Sequence, residues 1–155
     1  TKEELLEILV KAGERPEPDL AHYKLVDELF KTVREKIVQP TFIVNHPIEM
    51  SPLAKVSDEN PKEAARFQLV AAGMELVNAY SELNDPQDQA ARMRAQEEFR
   101  DEEIQRFDQD YVEALEYGMP PAAGWGMGIE RLVMILTDAP TLREVILFPT
   151  MREKK

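Results

Sequence analysis

Two short stretches carry residue types that could do chemistry. The first is 118–137, GMPPAAGWGMGIERLVMILT, in which Gly124, Gly126 and Gly128 alternate with Trp125 and Met127. Alternation at period two is a strand signature. Glycine weakens a strand interior, so three in register point to a ligand or a second backbone at close range. After Gly128 the period changes. Ile129, Leu132, Val133, Ile135 and Leu136 fit a helix with a buried face, and Glu130 and Arg131 fall in its first turn. A strand running into a helix N-terminus offers an anion free backbone N–H groups and the positive end of a dipole. Arg131 adds a planar cation that can pair with phosphate or lie flat on a base. A glycine triplet taken by itself reads instead as a tightly packed strand followed by a core helix.

The second stretch is 74–83, MELVNAYSEL. Written as a strand, it puts Asn78, Tyr80 and Glu82 on one face, and Glu75, Val77, Ala79, Ser81 and Leu83 on the other. An amide, an aromatic ring and a carboxylate in line make a poor core face and a good ligand face. The set suits a small amphipathic cation. Glu82 can pair with an ammonium, Tyr80 can cover an aliphatic stem, and Asn78 can hydrogen-bond a carboxylate. Free lysine has all three parts. On periodicity alone the stretch reads as a solvent-facing edge strand.

The elements that must position these residues follow from local signals. Thr1 and Glu4 form a capping-box pattern opening a short helix with an apolar stripe up to Gly13, and Pro16 and Pro18 break it. Asp19 opens a longer helix with Leu25, Val26, Leu29, Phe30 and Val33 on one face. Strands are expected at 41–45 and 66–72, with an irregular loop over 45–55 and a turn or bulge at Gly73. Asp85-Pro86 opens a polar helix. The acids Glu97, Glu98, Asp101, Glu102 and Glu103 read as a solvated face rather than a metal site. Asp110–Glu116 reads as a shorter helix ending at Gly118, and Thr141 with Glu144 repeats the capping-box pattern. The apolar run 145–149 is expected to pack under the core, and the tail MREKK to fray. His22 reads as a surface residue and His46 as a strand-end residue capping a turn.

The expected fold is α+β, an antiparallel sheet with strands near 41–45, 66–72, 74–83 and 122–128 and helices packed on it. Pairing the glycine strand antiparallel to 74–83 would bring Arg131 near Glu75 and Glu82. An unbroken strand puts Glu75 and Glu82 on opposite faces, so a bulge or strand end must re-aim one of them if both serve one site.

Composition narrows the class. The chain has 155 residues, 43% hydrophobic and 32% charged, as in one ordinary globular domain. A net charge of −11 argues against a broad basic face for nucleic acid. Without cysteine there is no disulfide framework and no thiolate zinc site, which fits the cytosol. No apolar run is long enough to span a bilayer. The N-terminal stretch is acidic and amphipathic rather than a signal peptide, and it lacks a starting Met, as an excised fragment would.

The string Gly-apolar-Gly-apolar-Gly-apolar-Glu-Arg, followed by an apolar run, resembles the third signature motif of class II aminoacyl-tRNA synthetases. NAYSELNDP, with Glu75 ahead of it, resembles the lysine-binding segment of the class II lysyl-tRNA synthetases. ALEYGMPPAAGWGMGIERLVMILT, REVILFPTMR and QPTFIVNHPIEMSPLAK, with the Arg66-Phe67 pair, resemble the same family from about residue 24 to 152. The resemblance implies the C-terminal portion of a synthetase catalytic domain over 1–155, with the third motif at about 122–137. The anticodon-binding domain and the first two motifs are not found.

It further implies ATP contacts at Gly126, Gly128, Ile129, Glu130 and Arg131, with Arg131 the catalytic arginine. Lysine contacts fall on Asn78, Tyr80 and Glu82, and Mg²⁺ bridging ATP phosphates falls on Glu75 and Glu82. Two carboxylates ~4–5 Å apart would repel by about 3–4 kcal/mol at an effective dielectric of roughly 20, which a hard divalent cation cancels. The implied partners are L-lysine, ATP and tRNA(Lys), in a cytoplasmic homodimer with no membrane role. A segment lacking the second motif is expected to be weak or inactive alone. Gln68 and Met74 depart from a Glu and a basic residue common in the family, which bears on metal and phosphate contacts. Two alternatives stand beside this reading: a translation-factor lysylating paralogue, which tends to carry Ala where this chain has Gly126, and a non-catalytic binding module.

Overall fold

The structure is a computed structural model and describes residues 1–97 and 107–150. Glu98, Asp101, Glu102 and Glu103, the side chain of Glu97, and the tail 151–155 lie outside the described residues, as do the expectations for them.

Helix α1 (Lys2–Lys11) starts at a complete capping box: Thr1 Oγ1 accepts from the Glu4 backbone N–H, and Glu4 accepts from the Thr1 ammonium. Helix α2 (His22–Arg34) begins three residues after Asp19, with Ala21 at its N-cap and no side-chain cap bond. The two helices pack on each other, and each has one buried leucine, Leu9 and Leu25.

Four antiparallel strands follow: β1 (Thr41–Ile43), β2 (Arg66–Ala71), β3 (Met74–Ser81) and β4 (Ala123–Met127), side by side in that order. A two-residue turn joins β2 to β3. Ala72 (φ 49°) and Gly73 (φ 73°) both have the left-handed backbone that a type I′ hairpin requires. A Cβ on Gly73 would also lie 3.3 Å from the Glu35 backbone, so space and conformation both select glycine there. β3 is an inner strand, so the edge-strand reading of 74–83 does not hold.

One face of the sheet is the core. Ala71, Leu76, Val77 and Ala79 cluster there with Leu69 and with Ile135 of helix α5 (Ile129–Thr137). Helices α3 (Pro86–Glu97) and α4 (Gln109–Glu116) form a second cluster around Ala90, Met93 and Val112. Asp85 Oδ1 caps α3 by accepting from the N–H groups of Gln87 and Asp88, and Asp108 caps α4 through Tyr111 N–H.

Three expectations need correction. In α5 the buried residue is Met134, whereas Ile129 and Leu136 are 59% and 75% exposed, because the helix meets the sheet on one narrow side only. The run 145–149 does not pack under the core. Helix α6 (Leu142–Val145) packs on α5, and Leu147 and Phe148 beyond it are left almost fully exposed. Thr141 occupies the α6 N-cap without a backbone cap bond, and its hydroxyl donates to the Glu144 carboxylate instead.

Candidate functional site

The site is built on the face of the sheet opposite α5, and a bulge sets its composition. Leu69 lies opposite Val77 while Val70 lies opposite Glu75, so Leu76 is the extra residue on β3. Leu76 and Val77 both enter the core cluster. Glu75 is thereby turned to the other face, where Gln68 Nε2 donates to its Oε2 at 2.8 Å. The re-aiming that the alternation of β3 demanded is therefore present. Arg66 and Gln68 from β2, Glu75, Asn78 and Tyr80 from β3, and Glu82 just beyond it face the same side, with Gly124 and Gly126 opposite Tyr80 and Asn78.

The glycines of β4 differ in what they make room for. A Cβ on Gly124 would stand 2.6 Å from Glu82 Oε1. The Glu82 carboxylate thus lies over β4 in space that only glycine leaves. Its backbone is pinned there, the N–H donating to Ala122 O at 2.9 Å, with a bridge to Ala54 on the other side. A Cβ on Gly126 would meet nothing within 4 Å, so packing within the described residues does not require glycine at that position. Gly128 is the N-cap of α5, and a Cβ there would press on Arg131 Cδ at 3.2 Å. Ile129, Glu130 and Arg131 form the exposed first turn. Arg131 Nη1 donates to the Glu75 carbonyl at 2.7 Å, tying the helix start to β3.

Arg131 and Glu75 are thus brought together. Glu82 is not with them. Glu75 and Glu82 share a face but stand at opposite ends of β3, roughly 20 Å apart along the strand at about 3.3 Å per residue. One ion cannot bridge both, which corrects the expected shared metal pair. Among the described residues, no group of three or more His, Cys, Asp or Glu side chains could hold a metal.

Several residues of this face escaped the sequence reading. His46 follows β1 and is buried, with Nε2 3.1 Å from Gln68 Oε1. The Gln68 amide nitrogen donates to a carboxylate, so its oxygen turns to His46, and His46 must carry its proton on Nε2. The reading of His46 as a turn cap is replaced by a buried link in a His46–Gln68–Glu75 chain. Arg66 reaches diagonally along the sheet, its Nε donating to Asn78 Oδ1 at 2.9 Å and its Nη1 to Met50 O and Ser51 Oγ. Tyr80 and Tyr111 of α4 both lie under the field of Glu82. Burial and that carboxylate push both phenols above their ordinary value. Alternation of Arg66, Gln68 and Val70 along β2 was a legible signal, and Tyr111 had none. A cavity of ≈ 630 Å³ opens between α2 and this face, lined by Asp27, Lys31, His46, Arg66, Gln68 and Glu75 among others.

Comparison with known proteins bears on the family to which the chain belongs. The family model of class II tRNA synthetases (D, K and N) matches residues 6–152. The chain is 50% identical to the lysine–tRNA ligase of Moorella thermoacetica over 159 residues, covering all of this chain and 32% of that protein. It is also 50% identical to the lysine–tRNA ligases of Thermosipho africanus and Helicobacter pylori strain G27, covering 98% and 99% of this chain and 31% and 32% of theirs. The chain spans about a third of the length of these curated relatives. With nearly its whole length matched, the chain belongs to the class II tRNA synthetase family.

Proposed function

We propose that this chain is the C-terminal part of the catalytic domain of a lysine–tRNA ligase. The whole enzyme would join L-lysine to ATP as lysyl-adenylate, releasing pyrophosphate, and then transfer lysine to tRNA(Lys), working as a cytoplasmic homodimer. The observation that carries this reading is the Glu82 carboxylate held over Gly124, in line with Tyr80 and Asn78. Half-identical relatives that bear the name lysine–tRNA ligase support it.

In this reading Glu82 pairs with the ε-ammonium, Tyr80 covers the aliphatic stem, and Asn78 donates to the carboxylate end. The nucleotide lies over Gly126 and Gly128, where no Cβ intrudes, against the first turn of α5 with Ile129 and Glu130. Arg131 keeps Nη1 on the Glu75 carbonyl and offers its remaining N–H groups to the nucleotide. A lysine carboxylate oxygen attacks the α-phosphorus in line as the bond to pyrophosphate breaks. No side-chain nucleophile is required, and the work is positioning and charge stabilisation. Glu75, whose Oε2 accepts from Gln68, is the carboxylate that would meet Mg²⁺ in this reading. Magnesium takes one or two protein carboxylates plus phosphate and water, so the donor set fits an ion arriving with ATP and not a dedicated cage. When bound, that ion neutralises phosphate charge.

Calorimetric titration of lysine into the full-length gene product containing this chain tests the reading. We expect saturable binding of lysine, with norleucine, which lacks the ε-ammonium, binding far more weakly. Equal binding of the two ligands would sink the assignment of Glu82.

A further inference from the structure

We propose that Arg66 is a positioning residue that fixes which end of the Asn78 amide meets the amino-acid substrate. The inference rests on the ligase reading and names a residue that reading leaves unused.

Arg66 sits on β2 directly across from Tyr80, yet its guanidinium turns along the sheet to Asn78. Three hydrogen bonds hold it: Nε to Asn78 Oδ1 at 2.9 Å, and Nη1 to Met50 O at 3.2 Å and Ser51 Oγ at 2.9 Å. Met50 ends the short 3-10 turn Ile48–Met50, and Ser51 follows it as a buried residue. The guanidinium is therefore clamped between a loop and β3. Guanidinium has donors and no acceptor. An asparagine beside it must present its oxygen, so the chemistry fixes the amide orientation. With Oδ1 committed to Arg66, the Asn78 NH₂ group is the end left for a ligand, and it can only donate. Its cross-strand neighbour on β4 is Gly126, around which a Cβ would find open space. A donor facing an open, glycine-floored surface suits the substrate carboxylate. An asparagine free to flip would present its oxygen half of the time and repel that group.

Lysine and ATP affinities and kcat, measured on the full-length protein, test this. Arg66→Met is expected to raise the lysine Kd about tenfold, the scale of one hydrogen bond to a charged group, with little change for ATP. Placed in an Asn78→Ala background, Arg66→Met should change the lysine Kd less than twofold, because its effect passes through Asn78. Asn78→Asp is the second probe, since it keeps the Arg66 partner but loses both N–H donors. It should hold the melting temperature while raising the lysine Kd at least tenfold. Additive losses in the double variant, equal weakening of lysine and ATP, or wild-type lysine affinity in Asn78→Asp each overturn the proposal. If the unmodified protein binds ATP but not lysine, the ligase reading falls and this inference with it. If the unmodified protein binds both and the variants behave additively, only the role of Arg66 falls.

Discussion

At the scale of residues, the two glycines facing the site should respond differently to the same methyl group. Gly124→Ala places a Cβ where Glu82 Oε1 now lies, so the carboxylate must move. We expect about a tenfold loss of lysine affinity, the scale of a charge-assisted bond, read by titration. Gly126→Ala meets open space and needs no unusual backbone. Its melting temperature should hold or rise slightly, while the KM for ATP rises as the methyl projects toward the nucleotide. Gly126→Ala with unchanged ATP kinetics would return that glycine to a purely structural role. His46 gives a pH prediction. Burial is the main cause that pulls its pKa below the ordinary 6.5, the Arg66 charge pulls the same way, and the Gln68 bond opposes them. The unfolded chain then binds more protons than the folded one as pH falls through 6.5, so stability drops there and is unaffected above it. Denaturant unfolding between pH 7.5 and 5.5 should show this loss, at about 1.4 kcal/mol per unit at most for a single proton, and His46→Phe should flatten it. An equal slope in the variant would assign the loss to other groups.

At the scale of elements, most of the secondary structure was legible because its signals are local. The Thr1–Glu4 capping box, the alternation of β3 and β4 and the switch of period at Gly128 each set an element without reference to the rest of the chain. The bulge at Leu76 was legible only as a requirement, from the conflict between the alternation of β3 and the placing of Glu75 with its neighbours. Its position depends on pairing with β2, which one strand cannot specify. The Glu75–Glu82 metal pair failed for a related reason: facing the same way does not mean standing close, and the length of β3 separates the two. The sequence marks Gln68 only as a departure from the family's Glu, and it gives no sign of the links through His46 and Arg66, because these come from contacts between segments far apart in sequence. The burial of α5 and of 145–149 was misjudged because apolarity marks what needs a partner, not which partner is present.

At the scale of the whole molecule, the described residues leave one side of the sheet open. β4 is an edge strand, and Trp125, Ile129, Leu136, Leu147 and Phe148 are exposed on or after it. An unpaired edge beside exposed apolar side chains invites association. The isolated chain should bind the dye ANS and elute in size exclusion larger than 17.8 kDa. A monodisperse monomer with no dye binding would contradict that expectation. In the proposed ligase, this face would read lysine through Glu82 for adenylation. Lysine-dependent ATP–pyrophosphate exchange by the full-length gene product, compared with its Glu82→Gln variant, tests it most directly. Exchange should be driven by lysine and by neither norleucine nor arginine, with a fall of at least tenfold in kcat/KM for lysine in the variant. Exchange driven by another amino acid, or a variant as active as wild type, would contradict it.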